Sequence, residues 1–204
     1  MSFEKRFFVH KIEVRTSDKS KTPTLVGYAA RFDVKSDVIM GSFREVIRAG
    51  AFKDSLANGA DVRFLVNHDP ARLLGRTKSG TLRLREDTIG LGFEVDLPDT
   101  SLAADTVRMI ERGDLDAMSF GFRMVKDAWG EDVDGMPLRE LVAVNVRDVS
   151  LATYPAYPTG TEVSVREEEP ALVELRTWQA ARKGGSQKMR ARRLELARRR
   201  VLLG

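Results

Sequence analysis

The chain has 204 residues, no cysteine and only two histidines, and its formal net charge is +4. This composition excludes disulfides, cysteine-ligated zinc, iron–sulfur clusters and thiol nucleophiles, and two histidines cannot build a multi-histidine metal centre within one chain. We therefore expect no metal or other cofactor. No run of about 18 apolar residues occurs, and the first residues lack the apolar stretch of a signal peptide. We expect a cytosolic-type protein with no membrane partner.

The positive charge is concentrated at the C-terminal end. Residues 170–204 contain ten basic and two acidic residues, which leaves 24 basic and 28 acidic residues in the rest of the chain. The acidic run at 167–169 ends in Pro170, which is typical of a linker. The pattern predicts a globular domain over residues 1–166 and a basic helical tail over residues 167–204.

Most of the body shows the alternation and the β-branched and aromatic content of short strands. The predicted strands are Phe7–Thr16, Thr24–Phe32, Asp61–Asn67, Thr81–Arg85, Leu91–Leu97, Met118–Val125 and Leu141–Leu151. Helical spacing predicts helices over Ser42–Leu56 and Thr100–Arg112 in the body, and over Ala171–Arg182 and Gln187–Leu203 in the tail. There is no βαβ alternation, no GxGxxG and no GxxxxGK[ST], so nucleotide-binding folds are not supported. The pattern predicts an α+β fold with a mainly antiparallel sheet or barrel and helices packed outside.

His68 follows a predicted strand and lies in a turn, where side chains are presented rather than buried. A turn histidine that only bonds its neighbours is the plainer explanation. A metal ligand is disfavoured because no second His or Cys is available to complete the site. A general base is the functional alternative, because imidazole exchanges protons near neutral pH.

Ser119 lies in a predicted strand whose alternation directs Met118, Phe120 and Phe122 toward a core. The opposite face carries Ala117, Ser119, Gly121 and Arg123, and its small residues leave room for another backbone or a substrate to approach. Taken alone, Ser119 is an ordinary strand serine on a solvated face. The surrounding residues are not a GxSxG elbow, so an α/β-hydrolase is not supported.

Asp148 shares the face of Val144 and Val146 if its strand is fully extended. A carboxylate among valines requires a partner if it is buried. That partner is either an arginine, such as Arg147, or an imidazole N–H. In the second case His68, Ser119 and Asp148 supply the base, the nucleophile and the acid of a catalytic triad, which geometry and not sequence position identifies.

Five segments in order resemble the prohead protease family of HK97-type tailed phages. They are GYAARFD (27–33), FREVIRAGAF (43–52), NHDP with LGRT (67–70 and 74–77), MSFGF (118–122) and the stretch from Arg147 to Thr161. The resemblance covers residues 7–165. It implies a fold similar to herpesvirus assemblins, which are compact β-barrels wrapped by helices.

The same resemblance implies a serine endopeptidase that cleaves the scaffolding segment of the major capsid protein inside the procapsid, in the host cytoplasm, and also cleaves itself. It makes His68 the general base and Ser119 the nucleophile. The third member is often Glu in the family, and here it is Asp148, with Asp69 and Asp116 as the alternatives. His10 lies outside any matching motif and is not assigned.

Other features are left open by the sequence. Gly121, Arg123 and the Arg76–Thr77 segment are only candidates for the oxyanion hole. Self-cleavage is expected near 167–170 or at Gly184–Gly185, because exposed linkers are where cutting concentrates. The alternative function is a non-enzymatic capsid-assembly scaffold or a nucleic-acid-binding module acting through the tail. Helical amphipathicity of the tail favours a partner helix, including self-association, over nucleic acid.

Overall fold

The computed structural model describes residues 3–9, 12–16, 22–153 and 171–182. The strands are β1 (Glu4–Val9), β2 (Glu13–Arg15), β3 (Thr24–Arg31), β4 (Arg44–Ile47), β5 (Arg63–Val66), β6 (Asp69–Arg76), β7 (Leu82–Glu86), β8 (Gly90–Asp96), β9 (Ala117–Glu131) and β10 (Pro137–Ala152). The helices between them are α1 (Lys53–Ala57) and α2 (Ser101–Arg112). The fold is therefore mostly β with few helices, which agrees with the predicted strand content but not with a body wrapped by helices.

The strands form two sheets rather than one closed barrel. The larger sheet has the order β1-β9-β10-β5-β6, with β4 also paired to β10, and the smaller has the order β2-β3-β8-β7. Within the described ranges both sheets end at edge strands, so these residues do not close the barrel that the family resemblance implies. Pairing is mainly antiparallel, but β10 pairs in parallel with both β4 and β5.

The core lies between the two sheets. Phe64 of β5 and Phe93 of β8 are fully buried, and their ring centroids are 5.0 Å apart. Phe120 and Phe122 of β9 stack in the same cluster. Burial of these aromatic side chains is the main force holding the sheets together.

Strand β4 and helix α1 replace the single helix predicted over Ser42–Leu56. Val46 and Ile47 are buried and pair with β10, so tertiary pairing overrides the helical spacing. Gly50 has φ +93°, which ends the extended segment before the short helix. The break expected at Gly50 is present, but the prediction of a helix before it is wrong.

Two other predictions differ in outcome. Helix α2 is confirmed: Thr100 caps it by accepting from the Ala103 amide, and Gly113 ends it in the left-handed conformation. The strand predicted over Phe7–Thr16 is instead two strands, β1 in the larger sheet and β2 in the smaller one. A single segment of chain thus contributes to both sheets.

Residue contacts divide the chain into two units, Met1–Gly160 and Thr161–Gly204. In the second unit residues 171–182 form a helix, in which Arg182 lies over the ring of Trp178. The helix predicted over Gln187–Leu203 and both expected self-cleavage segments lie outside the described residues. Of the helices described, none is long and apolar enough to cross a membrane.

Candidate active site

Ser119 lies near the start of β9, between the edge strand β1 and the long strand β10. Its neighbours Met118 and Phe120 point into the core, as the alternation predicts. Ser119 itself is 0% exposed, so the expectation of a solvated face is wrong.

Asp148 reaches the Ser119 face because strand β10 is irregular. The pairing of β9 and β10 shifts by one residue between Val146 and Asp148, so that Asp148 lies opposite Gly121. Such a bulge inverts the alternation beyond it. Val144 and Val146 stay in the core, whereas Asp148 leaves their face. The shared valine face predicted for Asp148 is therefore wrong.

His68 lies in a tight hairpin between β5 and β6. Val66 pairs with Asp69, so that Asn67 and His68 form a two-residue loop, and both have positive φ, +56° and +57°. Positive φ at both loop residues is the geometry of a type I′ turn, which follows the twist of the strands. The turn folds the imidazole back over β10.

Asn67 holds this hairpin against the end of β10. Its backbone amide donates to the Leu151 carbonyl at 2.8 Å, and its side-chain oxygen accepts from the Thr153 amide at 2.9 Å. Asparagine also tolerates the left-handed conformation better than most residues. These contacts fix where the adjacent imidazole can lie.

The three predicted side chains come together. His68 Nε2 lies 2.6 Å from Ser119 Oγ, and His68 Nδ1 lies 2.6 Å from Asp148 Oδ1. A carboxylate can only accept hydrogen bonds, so Nδ1 donates to Asp148 and Nε2 accepts from the Ser119 hydroxyl. The imidazole and the carboxylate are nearly buried, with 4% and 9% of their side chains exposed.

A fourth polar side chain joins this group. Ser150 lies directly opposite Ser119 in the β9–β10 pairing and is also 0% exposed. Its hydroxyl accepts from the His68 backbone amide at 3.2 Å and donates to Asp148 Oδ1 at 3.1 Å. The buried polar atoms of the site are thus joined in one network.

Gly121 is the residue that makes room for the carboxylate. A methyl group at this position would lie 2.5 Å from Asp148 Oδ2 and would also clash with the ring of Phe3. Real side chains essentially never approach so closely, so glycine is needed here for packing and not for its backbone freedom. Phe3, from the start of the chain, therefore lies beside the acid.

The residues beyond Asp148 in the larger sheet are arginines, but they bond another carboxylate, that of Asp61. Arg63 pairs with Asp148 in the parallel ladder and with Arg76 in the hairpin. Both arginines contact Asp61, and the hydrogen bonds from Arg76 lower the pKa of that carboxyl to about 2. Arg147 is exposed, and Asp148 contacts His68 and Ser150.

The other two candidate acids, Asp69 and Asp116, do not occupy the position that Asp148 takes beside His68. Asp69 accepts from the Ala71 amide within β6, and Asp116 is exposed just before β9. The amides of Arg76 and Thr77 already donate, to Thr81 Oγ1 and the Val62 carbonyl, so they are not free to bind an oxyanion. His10 lies outside the described residues.

Sequence reasoning missed several of these features. The strand β6 was not predicted, because Asn67–His68 is not one of the glycine-containing pairs that indicate a two-residue hairpin. A proline such as Pro70 disfavours a central strand, but an edge strand such as β6 tolerates it. The contacts of Ser150 could not be predicted, because nothing in the sequence indicates the bulge in β10 that turns its side chain toward His68.

A buried serine, an imidazole and a carboxylate joined in this order form the arrangement found in serine hydrolases. The serine-hydrolase arrangement agrees with the family whose model the sequence matches. Residues 10–174 match the model of the caudovirus prohead serine protease family. This match includes most of the chain, and the chain therefore belongs to that family.

Two individual proteins are similar to this chain. The prohead protease of Enterobacteria phage HK97 is 32% identical over 147 residues, which is 71% of this chain and 60% of that protein. The chain thus spans less than two thirds of that relative. The capsid assembly protease of bacteriophage T4 has a similar fold, with a TM-score of 0.50 and 7% identity, covering 75% of this chain and 98% of that one.

Proposed function

We propose that the chain is a serine endopeptidase in which Ser119 is the nucleophile, His68 the general base and Asp148 the orienting acid. The observation that carries this proposal is the pair of 2.6 Å contacts that His68 makes, with Ser119 on one side and Asp148 on the other. Both contacts lie within hydrogen-bond reach, which the activation of a serine requires.

The proposed reaction has two halves. His68 Nε2 takes the proton from Ser119 Oγ as this oxygen attacks the peptide carbonyl, and the resulting imidazolium then protonates the leaving amine. The acyl-enzyme is hydrolysed by a water molecule that His68 activates in the same way. Asp148 holds the Nδ1–H tautomer and stabilises the imidazolium without taking its proton.

The substrate that we propose is the major capsid protein, cut at its scaffolding segment inside the procapsid in the host cytoplasm. Membership of the prohead protease family supports this substrate. A prohead protease acts where its substrate is enclosed, so cleavage of the chain itself near 167–170 or 184–185 belongs to the same proposal. The tail over residues 167–204 is then an assembly handle that associates with a partner helix.

The direct test is co-expression with the cognate capsid protein, followed by mass spectrometry of both chains. We expect the capsid protein to be shortened by the wild type and left intact by Ser119→Ala. The control is Ser55→Ala, because Ser55 is also buried but its hydroxyl bonds the Val146 amide rather than His68. Capsid protein shortened by Ser119→Ala would overturn the proposed nucleophile.

The same experiment separates the non-enzymatic alternative. A scaffold would support particle assembly without shortening the capsid protein, and Ser119→Ala would then behave as the wild type does. We expect instead that the Ser119→Ala variant assembles particles that retain the full-length capsid protein. An intact Gly204 terminus on the wild-type chain after maturation would contradict the self-cleavage part of the proposal.

A further inference from the structure

Ser150 is the polar residue of the site to which the proposed reaction assigns no role. It is fully buried, and its position opposite Ser119 places its hydroxyl beside both His68 and Asp148. A buried hydroxyl is stable only where its donor and its acceptors are satisfied. The partners that satisfy Ser150 are the base and the acid themselves.

The contacts of Ser150 are consistent with a single arrangement of protons. Its one hydroxyl proton goes to Asp148 Oδ1, at 3.1 Å. Its oxygen accepts the His68 backbone N–H at 3.2 Å, and lies 3.3 Å from His68 Nδ1. Because Ser150 supplies its proton to the carboxylate, its lone pairs face the histidine. This keeps Nδ1 as the donor and leaves Nε2 free to accept from Ser119.

The backbone contact matters because of the conformation of His68. A residue at φ +57° that is not glycine costs free energy, so the surrounding contacts must hold it there. Asn67 anchors one half of the two-residue turn to Leu151 and Thr153. The amide of His68, in the other half, is held by Ser150.

We infer that Ser150 is a positioning residue of the reaction: it fixes the His68 backbone and the Asp148 carboxylate relative to each other. This inference rests on the proposed function, because the imidazole it positions is the proposed base. Ser150 does not touch the substrate. It acts by limiting the motion of the imidazole, so its loss slows the chemical step and leaves substrate binding intact.

The test compares Ser150→Ala with Ser55→Ala. Each variant removes one buried serine hydroxyl that accepts a backbone amide, but only Ser150 contacts His68. The assay uses a peptide that spans the cleavage site mapped in the capsid protein. We expect Ser150→Ala to lower kcat about 5- to 30-fold with KM unchanged, because one or two hydrogen bonds of about 1 kcal/mol each are lost. Ser55→Ala should keep the wild-type kcat.

Proton NMR gives a second readout that needs no substrate. The chain has only two histidines, so a His10→Gln background identifies the Nδ1 proton of His68. We expect this proton to give a slowly exchanging downfield signal in the wild type and in Ser55→Ala. In Ser150→Ala its exchange with water should be about tenfold faster or more. If Ser150→Ala does not fold, Ser150→Cys preserves the shape with a poorer donor and should show both effects in weaker form.

The outcomes separate this inference from the proposed function. Full kcat and an unchanged Nδ1 signal in Ser150→Ala, with Ser119→Ala inactive, would overturn the role of Ser150 alone. Active Ser119→Ala would overturn the proposed function itself. A loss in Ser150→Ala that appears in KM rather than in kcat would also contradict a positioning role.

Discussion

Two buried polar clusters lie on β9 and its neighbours, and they differ in chemistry. The ionic cluster consists of Glu4, Arg6, Glu45, Asp127 and Arg139. The second cluster contains the hydroxyls of Ser119 and Ser150, the imidazole of His68 and the carboxylate of Asp148. Arg6 lies over the ring of Phe122, whose side chain occupies the face of β9 opposite to Ser119. One strand thus carries a different buried network on each face.

The ionic cluster has the composition of a structural clamp. Arg139 is 0% exposed and bonds Glu4 at 2.7 Å and Asp127 at 2.6 Å, which joins β1, β9 and β10. Burial alone lowers the pKa of Arg139, but the charges of Glu4 and Glu45 outweigh burial and raise the pKa above its ordinary value. A guanidinium that keeps its proton can hold strands together but cannot exchange protons.

The two clusters differ in whether they contain a side chain that can take part in proton transfer. Only the second cluster contains an imidazole, that of His68, which is the kind of side chain suited to general acid–base catalysis. Changes in the ionic cluster should therefore affect unfolding, and changes around His68 should affect catalysis. The predictions below test this separation.

The largest effect is expected for Asp148→Asn. An amide can donate to Nδ1 and so hold the wrong tautomer of His68, which costs about 10⁴-fold in kcat in a catalytic triad. The shape of the site is kept, so we expect the free energy of unfolding to change by less than about 1.5 kcal/mol. Peptide cleavage and urea unfolding measure the two quantities. Near-normal turnover would transfer the acid role to another residue.

Arg139→Leu should show the opposite pattern. It leaves the buried carboxylate of Glu4 and the partly buried carboxylate of Asp127 without this partner, and breaking a buried ion pair costs about 3–5 kcal/mol. The matched control is Arg83→Leu, whose ion pairs with Glu94 and Asp96 are exposed and contribute about 0–1 kcal/mol. Turnover per folded molecule should stay near the wild-type value. Equal urea midpoints for the two variants would show that the ionic cluster does not stabilise the fold more than an exposed ion pair does.

Gly121→Ala is the smallest of the three changes. The added methyl group displaces Asp148 or Phe3, and misplacement by about 1 Å costs on the order of 100-fold in rate. Gly130→Ala is the control in the same strand, because a methyl group there meets nothing within 4 Å. We expect only the Gly121 variant to lose peptide cleavage. Equal activity of the two variants would show that the close packing around Asp148 is unimportant.

Local patterns were sufficient for part of this account. The helix α2 is predicted by its Thr100 cap and by Gly113, and strands β3 and β8 by their alternation. The residue types needed for a triad restrict the base to one of two histidines, and the family resemblance selects His68. These inferences need only short-range information.

The remaining features depend on long-range pairing. Residues 44–47 have helical spacing, but become a strand because β10 offers a partner. The bulge before Asp148 decides which face this carboxylate occupies, and strict alternation predicts the wrong one. Ser150 acquires its contacts only through the same bulge. Pairing register is set by the whole sheet, so the sequence of one strand cannot reveal it.

The central claim is that Ser119 and His68 act as one catalytic unit. The most direct test measures peptide cleavage by Ser119→Ala, His68→Ala and the double variant under single-turnover conditions. Members of a unit are non-additive, so each single change should cost as much as both together, on the order of 10⁴-fold or more. Losses that multiply in the double variant, or cleavage that survives in Ser119→Ala, would contradict the account.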